Sequence, residues 1–396
     1  MTFLIRDAKI VGADGMPPFR GDVRIEGALI TEVGPRLEAR PSEATLDAGG
    51  RVLMPGLIDA HTHALFAGDR LSEFELTRQG KSYLEILAAG GGILSTVRAV
   101  RQSSQDELRR GLSERLAHML DEGTTSVEVK SGYGLTTLDE LKMLRAIRAA
   151  AQDFAGTVVG TALLGHAIDP DEPHFVDRVV LETLPAVHAE FPEVAIDAYC
   201  ERGAWSVSDC RRLFERAREL GHPLRLHTDQ FTAQGGVDLA LELGALSVDH
   251  LEATSGADLE RIAQSDTFGV MLPVSGFCTD RRYAAGRAFL DAGGKLVLAT
   301  NYNPGSSPCS SLPFVIALAV RTLGLHTLEA IHACTSAPAA LLGLRDRGRI
   351  AKGSRADLVL LRHTDERMLG YEIGGNPVDE VCVAGAWVGG RTSRPG

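Results

Sequence analysis

Long apolar runs are missing from this sequence: nothing in its 396 residues approaches the roughly 18 needed to span a bilayer. The first residues show no basic segment followed by a long apolar stretch, so no secretory signal is expected. Basic blocks are missing too. Lys and Arg number 41 against 52 Asp and Glu, a formal charge of -11, which argues against a nucleic-acid or anionic-membrane surface. An anionic small substrate would then need a local cationic contact. Cysteines occur at 200, 210, 278, 309, 334 and 382 with no CxxC pair, and reduced thiols in a cytoplasmic protein are expected. Linkers, low-complexity segments and short repeats are absent. What remains is an ordinary soluble composition, 44% hydrophobic with a mean hydropathy of zero. The chain is long enough for a large domain plus a smaller one.

The middle of the chain alternates short apolar strands with amphipathic stretches such as Thr137–Asp153, Ser206–Leu220 and Gly256–Gln264. Candidate strands are "RVLMPGLIDAHTH", "TTSVEVK", "TVVGTALLGH", "AIDAYCE", "PLRLHTD", "ALSVDHL", "FGVMLPV" and "KLVLATN". Near-continuous aliphatic runs joined by helices predict a parallel sheet covered on both faces. Eight such units predict an α/β fold, a (β/α)8 TIM barrel rather than a doubly wound sheet. Residues 2–52 read differently, alternating apolar and polar with frequent turns, as do the late "RADLVLL" and "EVCVAGAWVGG". The expected organisation is a composite β-sandwich domain from 1–55 and 346–396 beside a barrel of 56–345. Between the first two barrel strands lies an insertion, Ala64 to Gly123, with Gly90-Gly91-Gly92 and no following Lys-Ser/Thr. It reads as a hinge or lid turn rather than a phosphate loop.

In a barrel, polar residues at the C-terminal strand ends carry the chemistry. Here those ends hold His61 and His63, Lys130 with Tyr133, His166, Glu201, His227 with Gln230, His250, and Asn301. One such histidine is usually a hydrogen-bonded core residue; five converging on one mouth point to a site. His61 and His63, two apart on a strand, face the same way. In a closed barrel that way is inward, so two imidazoles can grip one ion, with His227 as the natural third nitrogen. Three protein ligands and an open position for water are the pattern of a catalytic zinc site, and iron suits the same donors. Cys200 reads as a buried thiol rather than a nucleophile.

"PGLIDAHTH" and "KGSRADLVLL" resemble the metal-dependent amidohydrolase superfamily. "HTHALFAGDR", "GKSYLEI", "GGGILST", "EVKSGYGL", "HTDQ", "VDHLEATS" and "NPGSS" resemble the imidazolonepropionase family within it, nearly end to end. The resemblance implies hydrolysis of the ring C–N bond of 4-imidazolone-5-propanoate to N-formimino-L-glutamate, in histidine degradation. It also implies one Zn or Fe ion per chain and a cytoplasmic, usually dimeric enzyme. By position it gives metal ligation to His61, His63 and His227, and substrate contacts to Arg70, Tyr133 and His166. Gln230 and His250 match pocket residues near the scissile amide, and Asn303, Gly305 and Ser306 match the loop that holds substrate or product.

The physics of these residues is compatible with those roles. A fixed guanidinium such as Arg70 suits a carboxylate arm, and His166 or His250 could polarise the ring carbonyl or pass a proton. The family's fourth metal position is an aspartate, where this chain carries Asn301. The amide is expected to replace both ligand and general base and to impair turnover. Other readings stay open: a guanine- or cytosine-type deaminase, or a catalytically silent binder with the same pocket. Lys130 could also be a carboxylated bridge between two metals, although Glu128 beside it favours an ion pair. Glu201 is expected to support a metal histidine through a hydrogen bond.

Overall fold

The computed structural model describes residues 2–12, 17–81 and 91–390. Strands β1 to β5 are Thr2–Ile10, Phe19–Glu26, Leu29–Gly34, Ala44–Asp47 and Val52–Pro55. Strands β6 to β13 are Leu57–Asp59, Thr124–Lys130, Thr157–Gly165, Ala195–Cys200, Leu224–Thr228, Ser247–His250, Phe268–Met271 and Leu296–Leu298. The last three, β14 to β16, are Leu358–Leu361, Val378–Val383 and Ala386–Gly390.

β6 to β13 form one parallel sheet in chain order, with helices in the connections. This is the expected (β/α)8 barrel. Its last seam is short: Asn301 N donates to His61 O at 3.0 Å and His63 N to Tyr302 O at 3.0 Å. Buried Asp59 adds to it, accepting from Thr300 Oγ1 at 2.6 Å and Thr300 N at 3.3 Å. The expected amphipathic stretches become helices Thr137–Asp153, Val207–Glu219 and Gly256–Ala263. The hydroxyls of Thr136, Ser206 and Ser255 accept from the third helical residue and so satisfy N–H groups the first turn leaves free.

β1 to β5 and β14 to β16 form the second sheet, so both chain ends contribute to it. The period of two explains its packing. Leu53, Leu358, Leu360 and Cys382 face a small core with Phe3, Ile5, Val23 and Ile25. Their neighbours Val52, Met54, Val359 and Val381 join the barrel's core instead.

"RVLMPGLIDAHTH", expected as one strand, is two strands in different sheets. The chain changes sheet at Gly56, where an added Cβ would lie 2.2 Å from Thr125 Oγ1. Only a residue without a side chain allows that approach. Of the triple glycine, Gly90 lies outside the described residues, as do Ser82–Ala89 of the insertion. Gly92, at φ 70°, opens the helix Ile93–Gln102. No helix among the described residues is long and apolar enough to cross a membrane.

Candidate metal centre and substrate pocket

Alternation along the barrel strands carries polar residues into an interior that apolar layers usually fill. β6 and its extension bring in His61 and His63; β10 brings His227, and β11 brings His250. All four are buried. His61 and His227 ring centroids are 4.4 Å apart, His63 and His227 5.3 Å, and His227 and His250 5.6 Å. One nitrogen from each of His61, His227 and His250 falls within 4.8 Å of the others. His250 therefore joins His61 and His227 in one ligand-sized group, while His63 approaches it through His227, Nε2 to Nε2 at 3.3 Å.

The hydrogen bonds fix how these rings are protonated. His61 Nδ1 lies 2.6 Å from Asp249 Oδ2, and His227 Nδ1 lies 3.0 Å from Asp197 Oδ1. An ionised carboxylate only accepts, so each Nδ1 carries the proton and each Nε2 keeps its lone pair. Burial holds His61, His63 and His227 below the usual imidazole range, and Lys130 beneath them adds to the effect on all three. His61 Nε2 is buried with no partner, and His227 Nε2 faces His63 Nε2 at 3.3 Å. Nitrogen donors such as these, with the lone pairs of His61 Nε2 and His227 Nε2 turned inward, fit a transition-metal ion better than calcium or magnesium. The residues present could hold such an ion.

Asn301 sits buried at the end of β13, its backbone tied to His61. Its Nδ2 donates to Ser275 Oγ at 2.7 Å, and its Oδ1 has no hydrogen-bond partner. The free atom is thus a neutral oxygen that can donate a lone pair. Asn301 (φ 54°), Asp229 (φ 56°) and His250 (φ 92°) all have positive φ at the same mouth. Non-glycine residues pay for that geometry, and it clusters at working sites.

Beside the histidines, His63 and His166 stack with ring centroids 4.9 Å apart, and Tyr133 lies 5.0 Å from His166. His166 Nδ1 is 3.0 Å from Gly132 O, so it donates and leaves Nε2 as an acceptor. Burial, with His227 nearby, pushes His166 down to about 3, so it is neutral near pH 7. Burial pushes the Tyr133 phenol up to about 12 against the pull of Arg70, so it remains a donor. Glu140 shapes this loop by accepting from Gly132 N, Gly134 N and Leu135 N at 2.8–2.9 Å.

Arg70 Nε donates to Thr96 Oγ1 at 3.1 Å, and its guanidinium packs so closely on Gly305 that a Cβ there would meet Nη1 at 2.8 Å. Asn303 spends its amide within its own loop. Its Oδ1 accepts from Gly305 N and Ser306 N, while Nδ2 donates to Asn301 O and Ser306 Oγ. It shapes the loop that carries Gly305 and Ser306. Tyr199 OH donates to Gln230 Oε1 at 2.8 Å and leaves the Gln230 amide nitrogen as a donor.

One expectation changes, for Glu201, and the ion pair expected of Lys130 is present. Glu201 does not reach a metal histidine; it accepts from Arg202 N, Phe231 N, Thr232 N and Thr232 Oγ1, closing the loop after Gln230. Asp197 and Asp249 support the histidines instead. Their signal was a charge at an inward position of an otherwise apolar strand. Lys130 donates to Glu128 Oε1 at 2.8 Å and Asp197 Oδ2 at 2.9 Å, an ion pair that leaves its amine engaged away from any bridging role.

A parallel barrel whose mouth gathers buried, carboxylate-backed histidines is the arrangement of an amidohydrolase, and residues 69–391 match the amidohydrolase family. Imidazolonepropionase of Herpetosiphon aurantiacus is 45% identical over 92% of this chain and 88% of its own length. That of Rubrobacter xylanophilus is 43% identical over 97% and 98%, and that of Deinococcus radiodurans 44% identical over 91% and 90%. This chain belongs to the imidazolonepropionase family. Among solved structures, a triazine hydrolase variant superposes with a TM-score of 0.76 at 20% identity, covering 98% of this chain and 95% of that one. The 5-methylcytosine deaminase of Klebsiella pneumoniae liganded with 5-fluorocytosine gives 0.76 at 16%, covering 98% of each. At such identities these two speak for the fold.

Proposed function

We propose that this chain hydrolyses the ring C–N bond of 4-imidazolone-5-propanoate, giving N-formimino-L-glutamate. The observation that carries the reading is the set of Nε2 lone pairs on His61 and His227, each fixed by a carboxylate on Nδ1, in a chain of this family. His61, His63 and His227, with the amide oxygen of Asn301, would hold one zinc or iron ion. When bound, that ion supplies a Lewis acid for the ring carbonyl and acidifies water at neutral pH.

The remaining work belongs to side chains. Arg70 pairs with the propanoate, and Gly305 and Ser306 border it. Tyr133, kept protonated by burial, donates to the same carboxylate. His166, neutral and donating through Nδ1, offers Nε2 to a ring N–H. Gln230, turned by Tyr199, donates its amide N–H toward the scissile amide. Ring opening requires water to lose a proton and the leaving ring nitrogen to gain one. His250 has Glu252 Oε1 3.4 Å from Nδ1 and offers Nε2 for that transfer. Asn301 cannot take a proton there as a carboxylate would, so turnover is slow. The same reading carries a cytoplasmic homodimer, divided into a composite β unit of 1–55 and 346–396 and a barrel of 56–345.

An assay of 4-imidazolone-5-propanoate hydrolysis with elemental analysis of the same sample tests this. Slow conversion with about one transition-metal ion per chain is expected. Two ions per chain, or an ion-loaded protein that binds the substrate and never converts it, would favour a different centre or the silent binder that Asn301 also suits.

A further inference from the structure

Beneath the histidines the buried charges run without a gap from one to the other. Asp249 Oδ2, which accepts from His61, also accepts from Arg225 Nη2 at 2.9 Å. Arg225 Nη1 lies 3.4 Å from Glu128 Oε1. That same oxygen accepts from Lys130 Nζ, which donates in turn to Asp197, the partner of His227. Glu128 Oε2 accepts from Thr62 N at 3.1 Å, between His61 and His63. Lys130, Glu128, Asp197 and Asp249 are fully buried and Arg225 is 1% exposed.

Each buried ion costs several kcal/mol of desolvation, and packed aliphatic layers would make as stable a core. Stability therefore gives no reason for five charges here; orientation does. We propose that Lys130, Glu128 and Arg225 are positioning residues that hold the carboxylates of Asp197 and Asp249 in place, aimed at Nδ1 of His227 and His61. Both rings then keep the tautomer whose Nε2 lone pair faces the ion. Glu128 joins the two halves, so the two histidines behave as one unit, and through Thr62 it also sets the spacing to His63.

The inference rests on the reading that these histidines hold a metal, so its test keeps the two apart. Metal-free protein is loaded with Co²⁺, its visible absorption is recorded, and its affinity is measured by competition with a chromophoric chelator. Near-UV circular dichroism reports the fold. Lys130→Met and Glu128→Gln should each weaken Co²⁺ binding about 10–100-fold and change the visible spectrum. The double variant should lose no more than the worse single one, because the unit is already broken. Lys130→Arg should restore most of the affinity. If the unaltered chain takes up no Co²⁺, or His61→Ala binds it equally well, the metal reading itself fails. If His61→Ala loses the ion while Lys130→Met and Glu128→Gln keep both affinity and spectrum, the positioning role is overturned. Additive losses overturn the coupling. Should Lys130→Met fail to fold, the near-isosteric Glu128→Gln decides alone.

Discussion

At the residue scale, Asn301 is expected to set the rate. Its free Oδ1 can still offer a lone pair, so binding of ion and substrate should survive. A missing general base costs roughly 10²–10⁴-fold in rate. Asn301→Asp should raise kcat at least about a hundredfold with a smaller change in KM, because a base acts in the transition state. Equal kcat in the two proteins would pass the role to His250. His166 sets a pH dependence. Its pKa drops from the ordinary 6.5 to about 3 on folding, so the unfolded chain binds more protons between those values. Stability is therefore full above about pH 6.5 and falls as pH drops below it. In the metal-free protein, His166→Asn should remove part of that acid loss, of order 1 kcal/mol near pH 5, in denaturant titrations. An unchanged acid limb would show that His166 titrates normally. The metal histidines were legible in the sequence because they end strands, where side-chain direction follows from alternation; His250, next to inward Asp249, reaches the mouth through its φ of 92° instead. Asp197 and Asp249 were not, since one inward charge in an apolar strand looks the same whether it pairs with a cation or supports an imidazole.

At the element scale, the eight barrel strands were readable because parallel strands buried on both faces become unbroken aliphatic runs. The split at Gly56 was not readable. β5 and β6 are continuous in hydrophobicity, and only the 2.2 Å approach to Thr125 shows that the chain changes sheet there. The loop after β7 depends on Glu140, which reaches back from the helix Thr137–Asp153 to three backbone N–H groups. Glu140→Ala should leave those groups without their acceptor and lower the unfolding free energy by about 3 kcal/mol or more. It should also raise KM for 4-imidazolone-5-propanoate, because Tyr133 sits in the loop that is loosened. A full loss of stability with an unaltered KM would place Tyr133 outside the substrate's reach.

At the scale of the whole molecule, both chain ends build a sheet whose alternate residues complete the barrel's core, while the opposite, C-terminal mouth of the barrel carries the site. That division leaves the mouth free to hold costly features: buried ions, three strained residues, and Arg70 packed on a glycine. Together they suit the proposed opening of a small anionic ring by water. Labelled water tests this most directly. Metal-loaded Asn301→Asp protein and the unaltered chain are incubated with 4-imidazolone-5-propanoate in H₂¹⁸O, and the products are read by mass spectrometry. N-formimino-L-glutamate carrying one ¹⁸O in its new carboxylate, formed faster by Asn301→Asp, is the expected result. Release of ammonia with the ring intact, or no product from either protein with the ion bound, would contradict the account.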